Sequence, residues 1–316
     1  MKKRKEKKQG KFFTPSVIVT TVILAIILFV SIFADQLAPF DPEKVELSES
    51  FCKPFENGHI LGTDRIGRDL LSRIMCGAKV SVFNAFLIVA FEVMVGVPIG
   101  LISGYYGGKL DTFIMRIWDI VCSLPTLLLA FVLVAAFGKG MWSGIIAMGI
   151  VYTPLTAKLA RSLIMTEKTA VYVEAAKSMG YSNTRIIFKH IMPNIITTMI
   201  AQFTLDIGSA ITSMASLSYL GLGVQPPACD WGTLLKDGMS MLYKNPVLLI
   251  APAAVIIVTS VSINIFSDGI QAYIDPNQRK MPTFKQYRKS LLKTQKMQEK
   301  LAAAEAAKAA EGKATA

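Results

Sequence analysis

The 316-residue sequence predicts an all-α, polytopic membrane protein with six transmembrane helices. Three observations support this. Hydrophobic residues make up 52% of the chain and gather into separate blocks. Each block runs to about 20 residues, the length a helix needs to cross a ~30 Å hydrocarbon core. Lys and Arg collect in alternate connecting segments, as they do on the cytoplasmic side of short loops. The blocks lie at 15–34, 80–103, 113–137, 141–162, 195–217 and 246–267.

The chain opens with a basic tail, 1–14, expected in the cytoplasm. The first span, 15–34, follows MKKRKEKKQGK and could be mistaken for a cleaved signal. Its apolar stretch exceeds the roughly 7–15 residues of a signal core, and no small-residue cleavage site follows, so it reads as a retained anchor. Residues 35–79 form an acidic, Pro-containing extracytoplasmic loop. LLSRIM at its end has helical spacing and is expected to lie along the outer surface before the chain turns into the bilayer. A membrane-spanning core is then assigned to 80–268. Within it, GYYGG and FGKGM read as tight turns. Pro125 and Pro154 interrupt spans three and four, and LSYLGLGVQPPACDWG makes an external loop. The remainder, 269–316, ends in an Ala/Lys/Glu-rich, solvated cytoplasmic tail.

Charge placement gives the orientation. Seven Lys/Arg face one acid before the first span, six face two from Lys158 to His190, and ten face three from Arg279 onward. By contrast, 35–78 holds eight acids against five Lys/Arg. Six spans put every positive segment, and both termini, on the cytoplasmic side of a bacterial cell membrane. The net charge of +12 therefore points to membrane lipid and not to nucleic acid.

Glu92 and Asp206 fall near the centres of spans two and five. Intramembrane carboxyls are costly and normally face a bundle interior or water. They are candidates for a translocation pathway, with a carboxyl bonded to a neighbouring helix as the simpler alternative. Arg116 and Asp119 read as a helical ion pair. Outside, Asp64, Arg68, Asp69, Asp230 and Trp231 are candidates for an outer gate or a contact with an external partner, although the loop charges could equally pair among themselves. The four cysteines show no metal spacing. Cys122 reads as a packing residue in a span, and a bridge among Cys52, Cys76 and Cys229 stays open. His59 and His190 fall on opposite sides of the membrane, so no metal site is assigned.

One polar segment interrupts this pattern: EAAKSMGYSNTRIIFKHIMP, 174–193. Gly180 is a natural helix stop, and Ser182 can cap a second short helix that carries Ile187 and Ile191 on one face. Pro193 then turns the chain into the fifth span. Ala175 and Ala176 leave the first helix thin enough to enter a groove, and Glu174 gives it a polar handle. An amphipathic interfacial loop would look the same by pattern alone.

Glu174, Ala175, Ala176, Gly180 and Pro193 together resemble the signature of the membrane subunits of bacterial ABC importers. LGTDRIGRDLLSR (61–73), KHIMPN (189–194), LSYLGLGVQPP (217–227), DWGTLL (230–235) and DPNQRK (275–280) resemble the dipeptide/oligopeptide/nickel branch, specifically its C-type subunit. The resemblance spans about 15–280. It implies a type I permease fold whose cytoplasmic coupling loop, about 163–194 and including His190, seats in an ATPase subunit. It further implies a non-catalytic subunit paired with a homologous permease, two ATPases and an extracytoplasmic binding protein. ATP and Mg would bind only on those partners. The sequence itself contains no GxxxxGK[ST] phosphate loop. Where relatives often carry a Glu before the LSFLGLG segment, Met214 stands here, so that Glu's role is not carried over. Peptides are the expected cargo, with nickel or another small solute as the alternative. An ion-coupled carrier using Glu92 and Asp206 is a different class. The missing internal repeat counts against it, and a membrane-embedded enzyme lacks a nucleophile–base pair.

Overall fold

The computed structural model describes residues 14–274; the basic tail before Thr14, the DPNQRK segment and the tail after it lie outside the described residues. The features below belong to the compact unit Lys11–Gln271, apart from the last residues of α11.

Helix α1 (Pro15–Ile32) starts at Thr14, whose hydroxyl accepts the Val17 N–H at 3.4 Å. Most of its apolar side chains stay exposed, as on a peripheral helix facing lipid. A short α2 (Ala34–Leu37) and a 3-10 turn (Leu47–Glu49) lie in the connection to α3 (Leu70–Tyr106). Helix α3 is continuous over 37 residues. LLSRIM is thus the first turns of the second span and not a separate surface helix, which corrects the expectation above. Asp69 caps it, accepting the Ser72 N–H at 2.7 Å.

Helices α4 (Gly108–Cys122) and α5 (Thr126–Phe137) are bent by 92° at the break that contains Pro125. Pro125 breaks its span, as expected, but Pro154 does not: α6 (Met141–Glu167) runs through it. Asp119 bonds Lys158 of α6 at 2.9 Å, which replaces the expected partner Arg116. Cys122 is exposed and does not fill a core, and the four cysteines are free.

Beyond α6 come α7 (Val171–Ser178), α8 (Asn183–Arg185), a π-helical turn (Ile186–Ile191) and α9 (Met192–Tyr219). The chain does not turn at Pro193. Helical structure continues from Asn183 to Tyr219, with the Met192 N–H bonding the Ile187 carbonyl, one residue further back than in an α-helix. The widened turn falls just ahead of Pro193, which has no N–H to continue the ladder. Helix α10 (Trp231–Ser240) and α11 (Val247–Ile274) complete the order. Five helices are long and apolar enough to cross a bilayer, and the bent α4–α5 pair, counted as one broken span, makes six.

Helix α3 packs chiefly along α6 and also meets α9, α1 and α10. The α3–α6 seam is made by glycines one turn apart. A Cβ on Gly96, Gly100 or Gly104 would lie 2.9, 2.3 and 2.3 Å from Thr153 O, Ala157 O and Ile164 Cγ2 of α6. Small residues allow such close backbone approach, on which membrane helices rely because lipid supplies no hydrophobic drive between them. Met214 of α9 fills the equivalent space against Gly144 of α6. Two apolar clusters result. One, around Leu70, Ile88, Met148, Met214 and Trp231, occupies the α10 end and middle of the bundle. The other, around Leu101, Ile164, Val173, Ile186 and Met199, occupies the α7 end.

Candidate functional site

The segment 174–193 builds a short lever at the α7 end. Gly180 adopts φ +76°, and the Tyr181 N–H returns to the Ala176 carbonyl at 3.2 Å, which closes the helix with a left-handed cap. The Ser182 hydroxyl accepts the Arg185 N–H at 3.4 Å and starts the next helix. Val173 and Ala176 are buried against Ile186, Ile187 and Ile191. Ala176 therefore faces the chain's own core, which corrects its placement on the groove-entering face. Glu174, Ala175 and Pro193 are exposed, and Val171 and Met179 present apolar surface that is 81% and 62% exposed. His190 is half-buried and stacks on Tyr181 with centroids 5.5 Å apart, while the Arg185 guanidinium lies 4.3 Å from the same ring.

The lever is tied to the bundle. Tyr105 of α3 donates its hydroxyl to Asn183 Oδ1 at 3.0 Å, and Lys168 donates to the Gly104 carbonyl at 2.7 Å. Nearby, Arg161 of α6 grips Asp111 of α4 with two bonds of 2.5 and 2.6 Å. These bonds join α8 and the end of α6 to the last turn of α3.

Mid-bundle, the structure brings together the two carboxyls that the sequence analysis named as pathway candidates. Glu92 of α3 and Asp206 of α9 are close enough to interact, with Thr156 of α6 beside Glu92. Glu92 is 1% exposed and its Oε1 has no partner. Asp206 is half-buried and accepts from Gln202 at 3.0 Å. Tyr152 of α6, bonded to Ser213 at 2.8 Å, lies within electrostatic reach of both. Three helices therefore converge on one polar site within the bundle.

At the α10 end, the candidate outer residues are engaged with one another. Asp64 accepts Arg68 Nε at 2.7 Å and Arg73 Nη1 at 2.8 Å. Asp237 meets Arg73 at 3.4 Å and Arg68 at 3.6 Å. Asp69 and Glu49 hold His59 between them, at 2.9 Å from Nδ1 and 3.2 Å from Nε2. Trp231 is fully buried and donates its indole N–H to the Ile74 carbonyl at 3.1 Å. Asp230 caps α10 in a reciprocal box with Thr233. Burial pushes the Asp230 carboxyl above its ordinary pKa, against the bonds from Ser218 and Thr233. The sequence reading missed α10, although D-W-G-T followed by Leu234 and Leu235 is a capping-box signal. Arg73 and His59 were also missed as parts of this cluster. Among the described residues, no three His, Cys, Asp or Glu side chains converge in a way that could hold a metal ion.

The His59 clamp predicts a pH dependence. Burial works against the imidazolium, but the bonds to Asp69 and Glu49 outweigh it, and the His59 pKa is raised. A group raised on folding stabilises fully below its unfolded pKa, about 6.5, and that contribution is lost as pH rises through the folded value. Amide exchange in 49–69 should accelerate as pH rises above the unfolded value, beyond the intrinsic effect of pH, and His59→Gln should remove this excess. An excess identical in the variant would count against the clamp.

Five helices able to cross a bilayer with a bent pair that can make a sixth crossing, an exposed segment tethered at one end and a polar centre accord with a membrane transport component. The chain belongs to the family described as the binding-protein-dependent transport system inner membrane component, whose profile matches residues 96–280. It is 37% identical over 263 residues to the probable D,D-dipeptide transport system permease protein DdpC of Escherichia coli (strain K12), covering 83% of this chain and 88% of that protein. It is 36% identical to the oligopeptide transport system permease protein OppC of Bacillus subtilis (strain 168), covering 82% and 85%. It is 34% identical to the glutathione transport system permease protein GsiD of Pectobacterium atrosepticum, covering 81% and 85%. A chain of the MetNI methionine ABC transporter, solved in inward-facing conformations, superposes with a TM-score of 0.55 at 16% identity, over 65% of this chain and 97% of that one. That likeness shows the fold, the type I permease architecture expected from the sequence.

Proposed function

We propose that this chain is the C-type permease subunit of an ABC importer for short peptides. It would contribute half of the pathway beside a homologous permease and carry no ATPase activity of its own. ATP and Mg would act on two ATPase subunits beneath it, and an extracytoplasmic binding protein would deliver cargo at the α10 end. Both termini would face the cytoplasm. The free face of α7, with Glu174 and Ala175 exposed on a helix whose other face is buried, is the observation that carries this reading. It suits a helix laid in a partner's groove, and coupling requires an element whose position both partners bias. Peptide cargo is inferred from the relatives. The Glu92–Asp206 pair suits the cationic amino end of a peptide on its way through.

The lever can be tested at Gly180. A Cβ there meets nothing within 4 Å, so a substitution acts only through the backbone. Asn tolerates the left-handed conformation, whereas a β-branched residue does not. Gly180→Val should abolish ATP-driven uptake and co-purification of the ATPase while membrane insertion persists; Gly180→Asn should retain both. Glu174→Arg should weaken ATPase capture with the fold intact. Normal uptake by Gly180→Val and Glu174→Arg would overturn the assignment. The carboxyl pair would also serve a cation-coupled carrier, and uptake that survives ATP depletion would mark that alternative.

A further inference from the structure

The α10 end holds a cleft of about 400 Å³ between the loop carrying Arg65 and Arg68, the segment Gly221–Ala228 and helix α10. A volume of this order accommodates a small organic ligand. Arg65, Arg68, Arg73 and Lys236 line it, and the acid among the lining residues is Asp237. Asp64, behind the wall, takes up Arg68 and Arg73. The four cations are therefore set against two carboxylates. Arg65 and Lys236 are exposed and form no ion pair among the described residues. Lys236 Nζ lies where a Cβ on Gly221 would come within 2.6 Å, so the glycine leaves room for the ammonium to lie over the cleft.

Two unpaired cations, held on separate elements beside a pre-organised Arg68–Arg73 wall, form a receptor for an anion that brings its own apolar body. Guanidinium and ammonium groups bind carboxylate by charge-assisted hydrogen bonds, and Pro226, Pro227 and Ala228 offer an uncharged wall opposite. The geometry points to a carboxylate-binding subsite that takes the C-terminal carboxylate of a short peptide at the outer mouth, an assignment that rests on the peptide-permease reading above.

The test uses the full chain in lipid nanodiscs and equilibrium dialysis of labelled dialanine, N-acetyl-dialanine and dialanine amide. Both free acids should bind about tenfold more tightly than the amide, the effect expected of a charged hydrogen bond. Arg65→Gln/Lys236→Gln should lose that margin, whereas Asp237→Asn should widen it. Equal retention of acid and amide, or an unchanged double variant, would overturn the subsite. A second arm applies a carbodiimide to membranes holding the assembled transporter and dialanine, so that a carboxylate touching Lys236 becomes amide-linked to it. An adduct heavier by dialanine less one water, the carboxyl oxygen leaving with the urea, supports cargo, and an adduct with a protein's acidic side chain alone overturns that source. Neither arm depends on ATPase coupling. Loss of the subsite with Gly180→Val still blocking uptake leaves the permease reading standing.

Discussion

Gly100→Ala will destabilise the folded protein by about 1–3 kcal/mol, the usual effect of overfilling a packed interface. The added methyl would lie 2.3 Å from the Ala157 carbonyl oxygen and 2.8 Å from Ala160 Cβ. The first of these is backbone, so no rotamer change relieves it, and α3 and α6 must separate. That separation would forfeit contacts along the longest seam in the bundle, because Gly96 and Gly104 approach α6 in the same way. Gly100→Leu should be worse, whereas Val132→Ala, at a position 60% exposed on α5, should change little. Thermal unfolding in detergent, followed by size-exclusion chromatography, gives the measurement. A Gly100→Ala protein with wild-type melting behaviour would show that the helices do not meet there.

Arg73→Met should cost about 3 kcal/mol, near the lower end for breaking a buried ion pair. Arg73 and Asp64 are each 4% exposed and 2.8 Å apart. Removing the guanidinium leaves the buried Asp64 carboxylate with Arg68 as its remaining cation, so part of the pairing that offsets its desolvation is lost. Asp64 also accepts the Ile66 and Arg68 backbone N–H groups at 2.9 and 3.0 Å. Asp64→Asn preserves that turn while removing the charge. Asp64→Asn/Arg73→Met should therefore be less damaging than the sum of the single variants, since coupled residues are not additive. Strict additivity in a double-mutant cycle would mean that the two groups stand apart in solution.

Much of this protein is legible locally. The apolar blocks foretell the crossings because backbone groups in lipid must bond within the helix. Gly180 and Ser182 foretell the break in the lever because φ and capping are properties of single residues and their neighbours. The spacing of Gly96, Gly100 and Gly104 in GVPIGLISG is a small-residue signal for close helix contact that the sequence analysis did not use. Other features resist such a reading. LLSRIM has the same periodicity whether it lies on a surface or begins a span, and only its packing beneath Trp231 decides. Ala175 and Ala176 are alike in sequence; the angle at which α7 meets Ile186 and Ile191 determines which of them is covered.

The sequence by itself determined the helical membrane class, the crossings and the chemical character of the lever, since these follow from composition and short-range periodicity. Tertiary structure alone decided that Glu92 meets Asp206 and that Asp64 is clasped by Arg68 and Arg73. It also decided which cations remain unpaired at the cleft beside α10. Each of these depends on the rotation of one helix about its axis relative to another. That angle is set by packing between residues far apart in the chain, for which no local pattern carries information.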